Sequence, residues 1–151
     1  MALLPEKLKL QVVTPERLVV SEEVDEVQVP GKNGYMGILP GHAPLLSELM
    51  IGEVSYRRGN SWEFLAVVWG FVEVLPDRVI VLAETAERAE EIDVERAQAA
   101  CQRAEARLAA AGTEGIDIDR AQVALQRALI RLQVASKRRR AALPRPRPPT
   151  G

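Results

Sequence analysis

The spacing of apolar residues changes its period once, near Ala86, and no single kind of secondary structure accommodates both halves of the chain. Before that point apolar positions come in short alternating runs. Leu8, Leu10 and Val12 take turns with Lys9, Gln11 and Val13, and Thr14-Pro15 closes the run because proline lacks an amide donor and restricts its predecessor. Leu18–Val20 and Val24–Val29 follow, stopped by Pro30-Gly31. A glycine-rich stretch then leads to Gly52–Arg57, the turn Arg58-Gly59-Asn60, Trp62–Val68, Gly70–Val74, the turn Pro76-Asp77 and Val79–Ala83. Short β-branched segments separated by turn residues predict an antiparallel β-sandwich or flattened barrel over residues 1–86. The gaps are too short to hold the crossover helices that a parallel sheet needs.

After Ala86 the period is helical. Asp93 is placed to cap a helix running to about Ala111, with Ala97, Ala100 or Cys101, Ala104, Leu108 and Ala111 along one side. Gly112 to Gly115 interrupts it. Either Asp117 or Asp119 then caps a second helix with Ala121, Ala124, Leu125, Ala128, Leu132 and Ala135 on one face. A connection this short gives an antiparallel helical hairpin over residues 87–140. Its facing stripes are mostly alanine, which allows close approach but buries little area, so the hairpin is the half more able to open or relocate. The segment 141–151, "AALPRPRPPTG", is rich in proline and arginine and is expected to be a disordered tail. The fold class is therefore α+β, a sandwich followed by a hairpin.

Net charge is −1, but the signs are partitioned. From Arg120 onward there are nine Lys/Arg and no Asp/Glu, while the preceding 119 residues carry eleven positive against 21 negative groups. The basic end requires an acidic partner surface, an acidic face of the same molecule, or a polyanion. The single cysteine, Cys101, cannot form an internal disulfide and, lying among alanines, reads as a small buried filler. No stretch approaches the roughly 20 apolar residues of a membrane span, so the chain reads as soluble.

The residues do not assemble into recognisable catalytic chemistry. One histidine and one cysteine, without CxxC or HExxH, do not make a zinc site, and GxSxG is missing. "GKNGYMG" matches neither the phosphate loop GxxxxGK[ST] nor the dinucleotide turn GxGxxG. Glu87, Glu90, Glu91, Asp93 and Glu95 around a helix start read as a solvated face with favourable dipole placement. No catalytic and no metal-ligating residues are expected. The run Lys137–Arg140 followed by "PRPRP" has a phosphate-seeking charge, and a small nucleic-acid-binding module using that basic tail is the alternative class of function. Arg96 and Arg103 lie seven apart, and Arg127 and Arg131 four apart, so each pair shares a helix side. Across a hairpin these guanidiniums either grip a triphosphate or lie along the edge and pair with Glu87, Asp93, Glu95 or Glu105.

Taken together, "VVTPERLVVSEEVDEVQVPGKNGYMGILPGHAPLLSEL", "GEVSYR", "FLAVVWGFVEVLPDRVIVLAETAERAEEIDVERA" and "ALQRALIRLQVA" resemble the epsilon subunits of bacterial and chloroplast F-type ATP synthases. The most specific elements are GxxGxxxxLPGHAPLL, here Gly31 to Leu46, and IDxxRA, here Ile92 to Ala97. The resemblance implies a sandwich of about ten strands plus a two-helix hairpin, in a non-catalytic subunit present once per complex. It also implies a central-stalk rotor role, docked on the gamma subunit and the membrane ring of c subunits, on the cytoplasmic side of the cell membrane. Gly31, Gly34, Gly37, Leu39, Pro40, Gly41, His42, Ala43 and Pro44 then belong to the rotor and gamma contact, and His42 is a turn or interface residue. The hairpin, in that family, permits ATP hydrolysis when folded and inhibits it when extended into the alpha/beta catalytic head. Arg127, Arg131, Lys137, Arg138, Arg139 and Arg140 would meet the beta subunit. No cofactor is required, but in some members the folded hairpin binds ATP as a regulatory ligand. The matching positions are Glu87, Ile92, Asp93, Arg96, Ala97, Arg103, Arg127 and Arg131.

Overall fold

The computed structural model describes residues 4–113 and 115–141, with side chains as far as Arg138. Of the tail expected at 141–151, Ala141 is instead the last residue of α2, and 142–151 lie outside the described residues. Eight strands come first: β1 (Leu8–Val13), β2 (Leu18–Val24), β3 (Glu26–Gly31), β4 (Gly34–Ile38), β5 (Leu45–Leu49), β6 (Gly52–Arg58), β7 (Ser61–Leu75) and β8 (Arg78–Arg88). A 3-10 turn at Ala89–Glu91 leads to α1 (Val94–Ala109) and α2 (Ile118–Ala141).

The two long strands make this one hydrogen-bonded system a two-layer sandwich. The first half of β7 pairs with β6, its second half with β5, and β8 follows it on the other side along nearly the whole length. One layer is thus β2, β1, the start of β8, the end of β7, and β5. The other is β4, β3, β6, the start of β7 and the end of β8. The crossing point is Trp69-Gly70, both with positive φ, and a Cβ on Gly70 would stand 1.8 Å from the Leu82 carbonyl oxygen, so only glycine fits there. Between the layers Leu8, Leu10, Val12, Val27, Ile38, Val54, Leu65, Val72 and Val81 are buried, as alternation in strands with one dry face requires.

Several features depart from the sequence reading. Trp62–Val68 and Gly70–Val74 are one bent strand rather than two, while β4 and β5 are strands within the stretch read as a loop; the count is eight, not the about ten that the resemblance implied. The glycine-rich stretch is mostly strand: β4 pairs with β3 from Val27↔Ile38 to Gly31↔Gly34, leaving 39–44 as the true loop. Glycine there does not signal a break, since a Cβ on Gly37 would meet nothing. Thirdly, β1 and β8 pair parallel, with the rest of the sandwich serving as the connection in place of a helix. The second strand runs through to Val24 and the break falls at Asp25, whose carboxylate accepts from Lys7 and from the Gly59 amide.

Asp93 caps α1, accepting the Arg96 amide at 3.0 Å, and Asp117, not Asp119, caps α2 by accepting the Arg120 amide at 3.1 Å. Ala97 and Ala104 of α1 face Ala121 and Ala128 of α2. Cys101 falls off that stripe: it is partly exposed, with its thiol 3.5 Å from Glu105, and is not a buried filler. The second helix carries a further apolar edge, Ile130 and Val134, which packs on Ala66, Ala89, Ile92 and Phe64.

Candidate functional site

The hairpin lies folded against the sandwich, and the contact is made almost wholly by α2. A row of basic residues on that helix meets acids on the strands. Arg127 Nη2 lies 4.0 Å from Glu84, and Arg131 Nη2 donates to Glu87 at 3.2 Å. Arg131 Nε is 2.8 Å from the other Glu87 oxygen but is not aimed at it, so that contact is an ion pair without a hydrogen bond. Lys137 Nζ donates to Glu53 at 2.7 Å and also sits 5.2 Å from the Phe64 ring centroid. Arg138 Nη1 donates to the Glu90 carbonyl at 3.1 Å. Glu53 is 7% exposed, and its second oxygen has no described partner. Of the three destinations open to the basic end, an acidic face of the same molecule is therefore occupied in this conformation.

Between α1, α2 and the outer face of β7 and β8 lies a cavity of about 1030 Å³. Six arginines line it, Arg96, Arg103 and Arg107 from α1 and Arg120, Arg127 and Arg131 from α2, against two carboxylates, Glu87 and Asp119. Antiparallel packing of the helices produces the convergence: seven- and four-residue spacings keep each set on one side, and the alanine seam holds the two sets close. Of the residues matched to ATP binding by resemblance, Glu87, Arg96, Arg103, Arg127 and Arg131 line the cavity. Ile92, Asp93 and Ala97 do not. Ile92 is buried in the cluster beneath α2, Asp93 is occupied as the cap, and Ala97 is buried in the helix seam. They set where α1 begins and how its arginines are aimed. Among the described residues, Arg96 and Arg103 have no carboxylate within ion-pair distance, which leaves their donors to the cavity. Sequence reading missed Arg107 and Arg120; the signal was their spacing, four beyond Arg103 and seven before Arg127. Trp69, also on the wall, was missed because an aromatic in the sheet half reads as core or domain surface.

A second set of predicted residues brackets β4, with Gly31 and Gly34 at the turn before it and 39–44 beyond its far end. The Gly41 amide donates to the Pro76 carbonyl at 2.7 Å, tying the 39–44 loop to the β7–β8 turn, and the His42 amide donates to Leu39 at 3.1 Å. His42 Nδ1 lies 2.7 Å from the Ala43 carbonyl oxygen, which accepts its hydrogen, so the imidazole shapes the turn. Leu39, Ala43 and Pro44 are exposed, Pro40 and Gly41 are half-buried, Gly31 is buried beside Met36, and Gly34 makes the β3–β4 turn at φ 123°. Nearby, Phe71 and Leu82 stand side by side on the outer face of β7 and β8, and Leu46 projects from β5; all three are at least half exposed.

Entry to the hairpin is anchored separately. Arg88 donates to the Val19 carbonyl, and Arg17 makes a two-pronged contact with Glu91 in the 3-10 turn. The hydrogen bond from Arg17 holds the Glu91 carboxyl below the usual carboxylate range. Tyr56 donates to Glu63 at 2.6 Å inside the sheet. Burial, then that bond, pushes the Tyr56 phenol far up. Among the described residues no group of three His, Cys, Asp or Glu is placed to hold a metal, and no helix is long and apolar enough to cross a membrane.

A sandwich that carries a folded helical hairpin, with an arginine-lined cleft between them, defines a two-part module in which one half is a platform and the other an arm. Two family descriptions match it end to end: the beta-sandwich domain of the ATP synthase delta/epsilon chain over residues 7–89, and the long alpha-helix domain of the same chain over 90–136. The chain belongs to the ATP synthase delta/epsilon chain family. It is 52% identical over 132 residues to the ATP synthase epsilon chain of Geobacter metallireducens, covering 87% of this chain and 96% of that one. With the epsilon chain of Koribacter versatilis it shares 58% over 106 residues, 70% of this chain and 75% of that one. A chain in the Euglena gracilis mitochondrial ATP synthase has the same fold, at TM-score 0.76 and 22% identity over 89% of this chain and 84% of that one.

Proposed function

We propose that this chain is a non-catalytic rotor subunit of a proton-translocating ATP synthase. Its sandwich, residues 1–86, is the platform, and its hairpin, residues 87–140, is a regulator of hydrolysis. Membership of the family supports the assembly, and a match at TM-score 0.53 with a chain of the Tetrahymena thermophila ATP synthase central stalk and c-ring agrees in fold. The platform would dock on the gamma subunit and the ring of c subunits through the segment Gly31 to Pro44 and the exposed stripe of Leu46, Phe71 and Leu82. An apolar stripe on a small sandwich suits a standing subunit contact. The complex would sit peripherally on the cytoplasmic side of the cell membrane, with one copy of this chain in each.

The observation that carries the regulatory reading is the double use of the α2 cations. Arg127, Arg131, Lys137 and Arg138 bind the chain's own acids and carbonyls while the hairpin is folded, so any acidic segment of the beta subunit competes with the sandwich for them. Arg139 and Arg140, whose side chains lie outside the described set, extend the same run. The cavity supplies the second input. Five of the eight residues matched to ATP binding line it, and its excess of arginine over carboxylate suits a triphosphate. ATP held between α1 and α2 would stabilise the folded hairpin by mass action, because extending the helices separates the donors. High ATP then keeps the arm folded and hydrolysis permitted, and depletion frees it to inhibit.

Two reconstitutions test this. The purified chain should hydrolyse no ATP, and adding it to a catalytic head lacking this subunit should lower hydrolysis. A version ending at Arg88, which keeps β8 and its anchor to Val19, should bind gamma equally and inhibit little. Equal inhibition by both versions would overturn the regulatory role of the hairpin.

A further inference from the structure

Trp69 is the only described residue other than glycine with φ in the left-handed region, at 44°. The bend of β7 accounts for that backbone but not for the side chain. A glycine at 69 would make the same bend without the clash of Cβ against the backbone that disfavours this region. A residue held where its backbone is unfavourable marks a place where its side chain is used. The indole forms part of the wall of the arginine cavity, and the Arg127 guanidinium lies over it, 5.2 Å from the ring centroid.

Arg127 and Arg131 are held to the wall by different means. Glu87 touches Arg131 with both oxygens, which fixes the guanidinium but offsets its charge and occupies a donor. For Arg127 the described carboxylate is Glu84, at 4.0 Å and mostly exposed, too distant for a hydrogen bond and weakened by solvent. An aromatic face attracts a cation through its quadrupole and takes up none of its N–H donors. We propose that Trp69 is a positioning residue that holds the Arg127 guanidinium at the cavity wall, still charged and with its donors unoccupied, for the phosphate chain of the ligand. The inference rests on the nucleotide reading of the cavity. It assigns the indole to the arginine and not to the base.

The test uses the full chain, with ATP and inorganic tripolyphosphate as separate probes in titration calorimetry. Trp69→Leu keeps apolar bulk under α2 but has no aromatic face, and Trp69→Phe keeps a face. Trp69→Leu is expected to weaken both probes about two- to fivefold, as loss of a half-exposed cation–aromatic contact should, and Trp69→Phe to recover most of that. In an Arg127→Ala background the Leu substitution should cost nothing further, whereas a merely structural tryptophan would cost the same in either background and overturn the proposal. Loss confined to ATP, with tripolyphosphate unaffected, would assign the indole to the base and also overturn it. In the ligand-free protein the Arg127 Nε proton should resonate upfield of its position in Trp69→Leu, and its absence there would refute the contact itself. A wild-type chain that binds neither probe at millimolar concentration overturns the nucleotide reading and the role of Trp69 with it; binding left unchanged by Trp69→Leu overturns the role of Trp69 alone.

Discussion

Leu10, Val54 and Leu65 in the sandwich meet apolar neighbours drawn from both layers, whereas Ile130 and Val134 of α2 share their seat with Arg127, Arg131 and Lys137. The first interface excludes water and has few substitutes for its contacts. The second is narrow, and every charge on it would be as well satisfied by water or by another acidic surface. The first helix is looser still, resting on α2 through alanine. One chain thus combines a part whose fold is over-determined with a part whose position is a choice among similar alternatives, and the difference lies in the residue types at the two interfaces.

Substitutions should separate the two parts. Leu10→Ala leaves a void between closely packed layers, and the expected loss is about 2–5 kcal/mol, read as a lower denaturation midpoint for the whole chain. If only the hairpin loosened, the sandwich would not be the foundation. Lys137→Met is expected to come next. It leaves the buried Glu53 carboxylate without a described partner for either oxygen, at a cost of about 1–3 kcal/mol against the folded hairpin. Proteolysis within α2 should rise while the midpoint of the sandwich stays where it was, and a drop of both together would merge the two parts. The smallest effect concerns the tie between the platform and the arm. Glu91 is depressed in the folded chain by Arg17, so its contribution is present above the ordinary glutamate value, about 4.3, and disappears as the pH falls through the lowered folded value. Wild type should therefore lose stability between about pH 5 and pH 3 more steeply than Glu91→Gln; superimposable profiles would remove Glu91 from the anchor.

Much of this architecture was legible in the residues, and the exceptions have physical causes. The change of period at Ala86 and the cap at Asp93 are local signals, and local signals transmit well. The spacing of Arg96, Arg103, Arg127 and Arg131 left open whether they converge or pair along the edge, and both occur: all four line one cavity, while Arg131 pairs with Glu87. Strand β4 was hidden because glycine in a strand looks like glycine in a loop until its pairing partner is known. The unity of β7 was hidden because Trp69-Gly70 reads as an end, although the neighbouring β8 carries the hydrogen bonding past it. The Glu53–Lys137 pair joins residues 84 apart in the chain, and no local pattern marks a glutamate that a distant helix will bury. Ile130 and Val134 escaped the stripe because α2 has two neighbours, and a single-face reading follows only one of them.

The central claim is that the arm opens without unfolding the platform and that a nucleotide in the arginine cavity holds it shut. Amide hydrogen exchange on the full chain, with and without ATP, tests both halves at once. Amides of α1 and α2 should exchange faster than those of β1, β7 and β8, and ATP should slow the helices while leaving the strands unchanged. Exchange of helices and strands at one common rate, shifted equally by ATP, would show a single cooperative unit and contradict the account.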